Sequence, residues 1–405
     1  MELATAHGHP VDWPFRRLGD HLVFLSHGTH SRAELTAYGD VRNVHYGDVH
    51  AATSTRLDPN MLTALPRLKA RGLDRLRDGD VVLADASEDT VGISKLVELT
   101  NVGVTEVVSG QHTIAIRFDP AVAVNGFKGY LQFCPPFAQH LRRLAAGTKV
   151  YAINRQHVAS IEMPLPPVEE QRSIATALTD VDALLDGLDR LIAKKRDLKQ
   201  AAMQQLLTGR TRLPGFSREW DPVEFGDIAT IRNTKVIASS TDAGTQCVEL
   251  ESIGQGDGRL LGSTYANGAS SKYAFKRGDV LFGRLRAYLR KFWLATSDGV
   301  CSTEIWPLIP LDDRLVGGYL HLLVQTSNFV DAAGVSYGTH MPRSDWTVLR
   351  KFSVQLPKPP EQYVIATVLS DFDAELRTLE ARRDKTHLLK QAMMQELLTG
   401  RTRLV

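Results

Sequence analysis

Cysteine is nearly absent. The 405 residues hold three, Cys134, Cys247 and Cys301, with no CxxC spacing among them. That excludes a disulfide framework, argues against a zinc site and suits a reducing cytoplasm. No run reaches the roughly 18 apolar residues a membrane helix needs, so no membrane span is expected. The opening stretch Met1–Pro14 is polar and lacks the basic-then-apolar order of a secretory signal, so a cytoplasmic location is expected. An excess of charge of one sign is missing too. Lys plus Arg against Asp plus Glu is 17 and 17 over residues 1–163, 15 and 15 over 214–355, and 8 and 7 in each of 164–213 and 356–405. A free-standing nucleic-acid binder usually carries a basic surplus, so either the partner lies elsewhere or the cations cluster locally.

Catalytic signatures are equally scarce. There is no phosphate-binding GxxxxGK[ST] loop and no HExxH, although ten of the thirteen histidines fall within residues 1–157. No metal site is expected. Asp197-Leu198-Lys199 fits only a loose nuclease pattern and sits in the middle of an expected helix. Phe133-Cys134-Pro135-Pro136-Phe137 is faintly like an amino-methyltransferase motif, but Cys134 stands where a side-chain oxygen is required. A proline-initiated helix explains it better. The chain is expected not to be an enzyme.

What the chain does have is an internal repeat. Leu165–Leu213 returns as Leu356–Leu404, displaced by 191 positions without a gap, and 28 of the 49 aligned residues are identical. A repeat this long is a structural unit. Each copy opens with prolines (Pro164, Pro166, Pro167; Pro357, Pro359, Pro360), continues with Glu170-Gln171 or Glu361-Gln362, and stops at Gly209 or Gly400. These are helix start and stop signals, with the acids suited to the positive end of the helix dipole. The roughly 40 residues between them would span about 60 Å. Ile174, Leu178, Val181, Leu185, Leu188 and Ile192 alternate steps of four and three, as do Ile365, Leu369, Phe372, Leu376 and Leu379. That spacing predicts a coiled-coil seam, and the other copy is the nearest partner, in antiparallel orientation. Asp180, Asp182, Asp371 and Asp373 recur at the same offset; they suit either partner helices or solvent.

The blocks before the helices are fainter copies of one another. Leu18-Gly19-Asp20 matches Phe225-Gly226-Asp227, Gly79-Asp80-Val81 matches Gly278-Asp279-Val280, and Gly147-Thr148 matches Gly338-Thr339. Gly-Asp before a short Val/Leu run reads as a turn entering a buried strand, and both blocks read as mixed α/β.

This layout resembles the specificity subunits of type I restriction–modification systems. The resemblance rests on the doubled Pro-rich, Glu-Gln, Ile-Ala openings (165–175, 356–366), the doubled Lys-Gln-Ala-x-Met-Gln-x-Leu-Leu-Thr-Gly endings (199–209, 390–400) and the segment 281–291, Leu-Phe-Gly-Arg-Leu-Arg-Ala-Tyr-Leu-Arg-Lys. It implies an α+β chain with two related α/β target recognition domains, 1–160 and 214–354. Two spacer helices, 161–213 and 355–405, would form an antiparallel coiled coil with a pseudo-two-fold internal repeat. It further implies a non-catalytic subunit that reads a bipartite site in double-stranded DNA. Two methyltransferase subunits and two motor-nuclease subunits would be its partners, and S-adenosylmethionine, ATP and magnesium would sit on them. A coiled-coil scaffold or decoy that binds protein without reading DNA is the alternative.

Arg284, Arg286, Arg290 and Lys291 around Tyr288 form the best DNA-facing run, because Arg can fork onto guanine or neutralise phosphate. A solvated strand edge also fits it. Thr339, His340 and Arg343 follow a Gly-Thr turn that can present N–H groups to phosphate. In the first block Arg42, Asn43, His45 and Tyr46 form a polar cluster, and Lys149 and Tyr151 follow the matching Gly-Thr. The first block has no counterpart of the basic run: Leu83–Asp89 is acidic there.

Overall fold

The computed structural model describes residues 12–242, 244–335 and 342–404. The chain divides into two compact units, Met1–Asp189 with Arg382–Val405, and Arg190–Ala381. Each unit therefore contains one block, the first part of the helix that follows it, and the last part of the other helix.

In the first unit a five-stranded sheet is ordered Leu22–Leu25, Thr113–Phe118, Val81–Ala84, Leu96–Leu99, Arg56–Leu57. Ala64–Leu65, Val41–Val44 and Val107–Ser109 form a separate three-stranded sheet. The second unit repeats the plan. Ala229–Ile231, Ile305–Pro310, Val280–Gly283 and Phe292–Leu294 form a four-stranded sheet, and five short strands from Lys235 to Cys301 form another. The strands that follow Gly79-Asp80 and Gly278-Asp279 are buried throughout, as their apolar runs require. Gly79 and Gly278 hold φ of +83° and +91°, a conformation L side chains rarely adopt. The aspartates after them do more than turn the chain. Asp80 accepts the Arg117 fork at 2.6 and 2.9 Å, and Asp279 accepts the Arg232 fork at 2.6 and 2.9 Å. Arg117 lies on the strand Thr113–Phe118 whereas Arg232 follows the strand Ala229–Ile231, so the pair is kept while its source has changed.

The long helices run Val168–Leu206 and Pro359–Leu397, each 39 residues. Gly209 and Gly400 end them in the left-handed region, at φ +68° and +70°. Each block also carries an interrupted helical stretch after its sheet strands. Tyr130 lies in a 3-10 segment, Lys128–Phe133, before the helix Pro135–Leu144 starts on its prolines. In the second unit Gly317–Leu323 and Ser327–Gly334 are separate helices, the latter capped by Thr326.

The apolar stripe has two jobs. Ile174 and Leu178 are buried in the first block's core together with Leu397 and Leu398; Ile365 and Leu369 are buried in the second block's core with Leu206 and Leu207. The first steps of the seam thus seal the floor of a block. Leu185, Leu188, Ile192 and Leu376 are buried further along the helices, whereas Val181, Phe372 and Leu379 are half-buried. Each fully buried Leu or Ile contributes roughly 1.5–3 kcal/mol.

Within each unit the two helix segments run in opposite directions and are laced by ion pairs. In the first unit Asp182 meets Lys390 and Asp189 meets Arg383. In the second, Glu375 meets Lys195, Asp373 meets Lys199 at 2.6 Å and Glu380 meets Arg196 at 2.6 Å. The basic residues that interrupt the stripe at 194–196 and 382–383 are therefore used, in part, in these pairs. Asp182 and Asp373 face the other helix, and Asp182 also accepts the Tyr130 hydroxyl at 3.0 Å. Of the four recurring aspartates only Asp180 and Asp371 are exposed.

The Glu-Gln dipeptides are better explained by the fold than by the helix dipole. Glu170 is buried and takes a two-pronged bond from Arg403 at 2.6 and 2.8 Å, and the Trp13 indole N–H at 3.0 Å. Glu361 does the same with Arg212, 2.7 Å on both prongs, and Trp220 at 3.1 Å. Each arginine also lies over the tryptophan ring, 5.7 Å for Trp13 and 5.4 Å for Trp220. The carboxylates hold both guanidinium groups more firmly protonated than usual. Gln171, fully buried, accepts Val124 N–H and donates to the Val122 and Pro166 carbonyls; Gln362 accepts Val316 N–H and donates to the Arg314 and Pro357 carbonyls.

Among the described residues, no helix is long and apolar enough to cross a membrane, and no cluster of His, Cys, Asp and Glu could hold a metal ion.

Candidate nucleic-acid interface

In the second unit the segment after Val280–Gly283 forms a tight turn, Ala287–Leu289, flanked by Arg286 and Arg290. Both arginines adopt left-handed φ, 54° and 51°. That conformation is uncommon for a residue with a side chain, and such sites concentrate where function demands a particular presentation. The turn is held by Arg286 N–H to the Pro342 carbonyl and Gly256 N–H to the Arg290 carbonyl, each 2.9 Å.

The basic run separates into two groups. Lys291 donates to the Leu250 and Ile253 carbonyls at 2.8 and 2.9 Å. Arg290 reaches the Gln325 carbonyl and the Ser327 hydroxyl at 3.2 and 3.0 Å. Arg284 lies over the Trp306 ring at 5.0 Å, and its Nη2 contacts the Ser344 carbonyl at 3.4 Å. These three side chains bind the turn to the unit. Arg286 and Tyr288 project outward, and Tyr288 is 61% exposed. Arg343 is brought to the same turn by a bridge with Leu285, and it forks onto Glu304 at 2.8 to 3.1 Å. That pairing holds the Glu304 carboxyl below the usual carboxylate range. Thr339 and His340 lie outside the described residues.

In the first unit the polar cluster is mostly structural. Arg42 donates to the Leu62 carbonyl at 2.8 Å. Asn43 is fully buried, and neither amide atom has a partner. His45 caps the helix Tyr46–Ala51 by accepting Gly47 N–H at 3.2 Å, and burial holds its pKa below the ordinary value. Tyr46 is the accessible member. Its ring meets His45, His112 and His50 at centroid distances of 4.5, 5.7 and 6.1 Å. His50 bonds the Ala86 carbonyl at 2.8 Å, and the strand Ala86–Ser87 pairs with Tyr151–Ala152. Tyr46 and Tyr151 are therefore linked through one small group of contacts. Lys149 is exposed nearby in sequence.

Block-wide charge counts conceal a second basic segment. Arg67, Lys69, Arg71, Arg75 and Arg77 fall within eleven residues. Arg67 and Arg75 share Glu106, and Lys69 pairs with Glu34, leaving Arg71 and Arg77 exposed without a carboxylate partner among the described residues. A short-window charge count would have found this segment. His112, at left-handed φ 56° beside Asp85, had no such signal.

Residues 217–386 match the model of the type I restriction modification DNA specificity domain. The type I restriction enzyme MjaVIII specificity subunit of Methanocaldococcus jannaschii is 22% identical over 288 residues, 65% of this chain and 67% of that protein. The EcoDI specificity subunit of Escherichia coli is 22% identical over 269 residues, 58% and 60%. These alignments span about two thirds or less of each relative. Among solved structures, the type I restriction–modification S subunit from M. genitalium superposes with a TM-score of 0.59 at 13% identity, covering 98% of both chains. A chain from a type I restriction–modification assembly gives 0.57 at 18% identity, covering 96% of this chain and 98% of that one. At these identities the superpositions establish a shared fold. Residues 217–386 therefore carry a type I restriction modification DNA specificity domain, and the chain as a whole shares the fold of these solved subunits.

Proposed function

We propose that this chain is the DNA-reading subunit of its complex and carries no catalytic group of its own. Each block, 1–160 and 214–354, reads one half of a bipartite duplex site. The helices of 161–213 and 355–405 form one antiparallel coiled coil that sets the spacing between halves and docks two methyltransferase subunits. Two motor-nuclease subunits complete the restricting form, and S-adenosylmethionine, ATP and magnesium are bound by the partners. The complex works in the cytoplasm.

One observation carries this reading. The lacing contacts obey the sequence repeat: Asp182–Lys390 and Asp373–Lys199 exchange under the displacement of 191, as do Glu170–Arg403 and Glu361–Arg212. A pseudo-two-fold built this way suits a partner present in two copies and a site with two halves. For the base contacts, Arg286 and Tyr288 are, among the described residues of the turn Arg284–Lys291, the exposed side chains free to reach DNA.

The test is duplex binding by the chain assembled with its methyltransferase. Binding should be specific and should weaken steeply with salt as counterions are released. Arg286→Ala with Tyr288→Ala should weaken the specific complex at least tenfold, since a forked Arg–base contact is worth about 1–3 kcal/mol. The melting temperature should stay unchanged. Binding unaffected by the double substitution would remove these residues from the interface, and no duplex binding by the wild-type assembly would overturn the DNA reading itself.

A further inference from the structure

The second unit contains a cavity of about 930 Å³ behind the Arg290 turn, between the chain segments 196–210 and 373–380 and the globular layers. That volume lies in the range of small-molecule sites. Six cations line it, Arg196, Lys199, Arg210, Arg259, Arg290 and Arg377, against three carboxylates, Asp257, Asp373 and Glu380. Glu380 is occupied by Arg196 and Arg259, and Asp373 by Lys199. Arg210 and Arg377 are exposed and have no carboxylate partner among the described residues. The start of the helix Ser327–Gly334 opens onto the same space through Thr326, Ser327 and Asn328. The N–H groups and dipole of a helix start favour an anion. Met203, Leu207 and Phe352 supply an apolar floor.

His321 gives the cavity a second, independent sign of a ligand. Its Nδ1 is buried without a partner, and its ring stands edge-on to Phe292 at 5.7 Å. Burial pushes its pKa down to about 4, so the ring is neutral near pH 7 and offers one donor and one acceptor. The other unit solves the same position differently. Gly129-Tyr130-Leu131-Gln132 corresponds to Gly318-Tyr319-Leu320-His321. The Gln132 amide donates to the Leu96 and Gly129 carbonyls, both at 2.8 Å. A buried polar atom left without a partner costs folding free energy, and at this position only the second unit carries that cost.

We propose that this cavity binds a small organic phosphate of nucleotide size. The phosphate sits among Arg210, Arg377 and the Thr326–Asn328 helix start. The organic part lies over the apolar floor, where His321 Nδ1 completes a hydrogen bond to it. Neither the cavity nor its test involves DNA, so the result is separate from that of the duplex experiment.

Isothermal titration of the full-length chain with adenosine 5′-monophosphate tests it, with inorganic phosphate as the second probe. Saturable one-to-one binding is expected, at least tenfold tighter than that of inorganic phosphate. His321→Gln installs the residue the other unit uses, and Arg377→Ala alters an exposed helix position; each should weaken binding at least tenfold. The Arg377→Ala variant should melt like the parent, so its affinity can be read even if the first variant unfolds. Absence of saturable binding by the parent chain, inorganic phosphate binding as tightly as the nucleotide, or parental affinity in Arg377→Ala would overturn the proposal.

Discussion

Adding one heptad to each long helix, after Asp189 and after Ala381, should lengthen the spacer of the recognised site by about three base pairs. Seven residues at 1.5 Å each add about 10.5 Å of helix, and a base-pair step of B-DNA rises about 3.4 Å. Both insertions are needed because the helices are laced: Asp182–Lys390 lies on one side of the insertion points and Asp373–Lys199 on the other. A heptad in each preserves the seam and keeps both sets of pairs in register. A heptad in one helix alone would set Leu185, Leu188 and Ile192 against the wrong partners and should lower stability instead. Both half-site sequences should stay as they were. An unchanged spacer in the doubly extended protein would mean that the helices do not set the distance.

The second large effect concerns the glutamines. Gln362→Ala is expected to destabilise the second unit by about 3 kcal/mol or more, because it strands several buried backbone groups at once. Val316 N–H and the Arg314 and Pro357 carbonyls all lose their partner, and the residue is fully buried, which limits rescue by water. Gln171→Ala should act on the first unit in the same way. Gln362→Glu keeps the shape and the acceptor but loses the amide donor that two carbonyls share, so it should be nearly as damaging. Thermal or urea unfolding decides the point, and a melting curve for Gln362→Ala like that of the parent would show that the shared Glu-Gln pair is not the structural clasp described above.

How far these contacts could be read beforehand depended on their range. The helices were legible because apolar spacing, proline starts and glycine stops are local and occur twice. The strands behind Gly79-Asp80 and Gly278-Asp279 were legible for the same reason. The role of Glu170 was not, because its partner Arg403 is 233 residues away in the chain; next to a helix start, dipole compensation was the available reading. The short strands Val41–Val44 and Val107–Ser109 gave too little alternation to reveal a second sheet.

The candidate interface divided along similar lines. Arginine-rich composition marked 284–291 as unusual, but nothing local distinguished Lys291, committed to two carbonyls, from Arg286, which projects outward. In the first unit Asn43 looked like an adenine reader because asparagine has the right donor and acceptor, yet its amide is buried. Averaging charge over whole blocks hid the segment 67–77, where the cations are dense and their carboxylate partners, Glu34 and Glu106, come from elsewhere in the chain.

Modular reading by the two blocks is decided by block exchange with a methylation map. Residues 1–155 would be replaced by the corresponding block of a type I specificity subunit, and methylated adenines mapped in a host that also carries the methyltransferase. One half of the recognised sequence should change while the other half and the spacer remain. A map in which both halves change, or neither does, would mean that the blocks do not read independently.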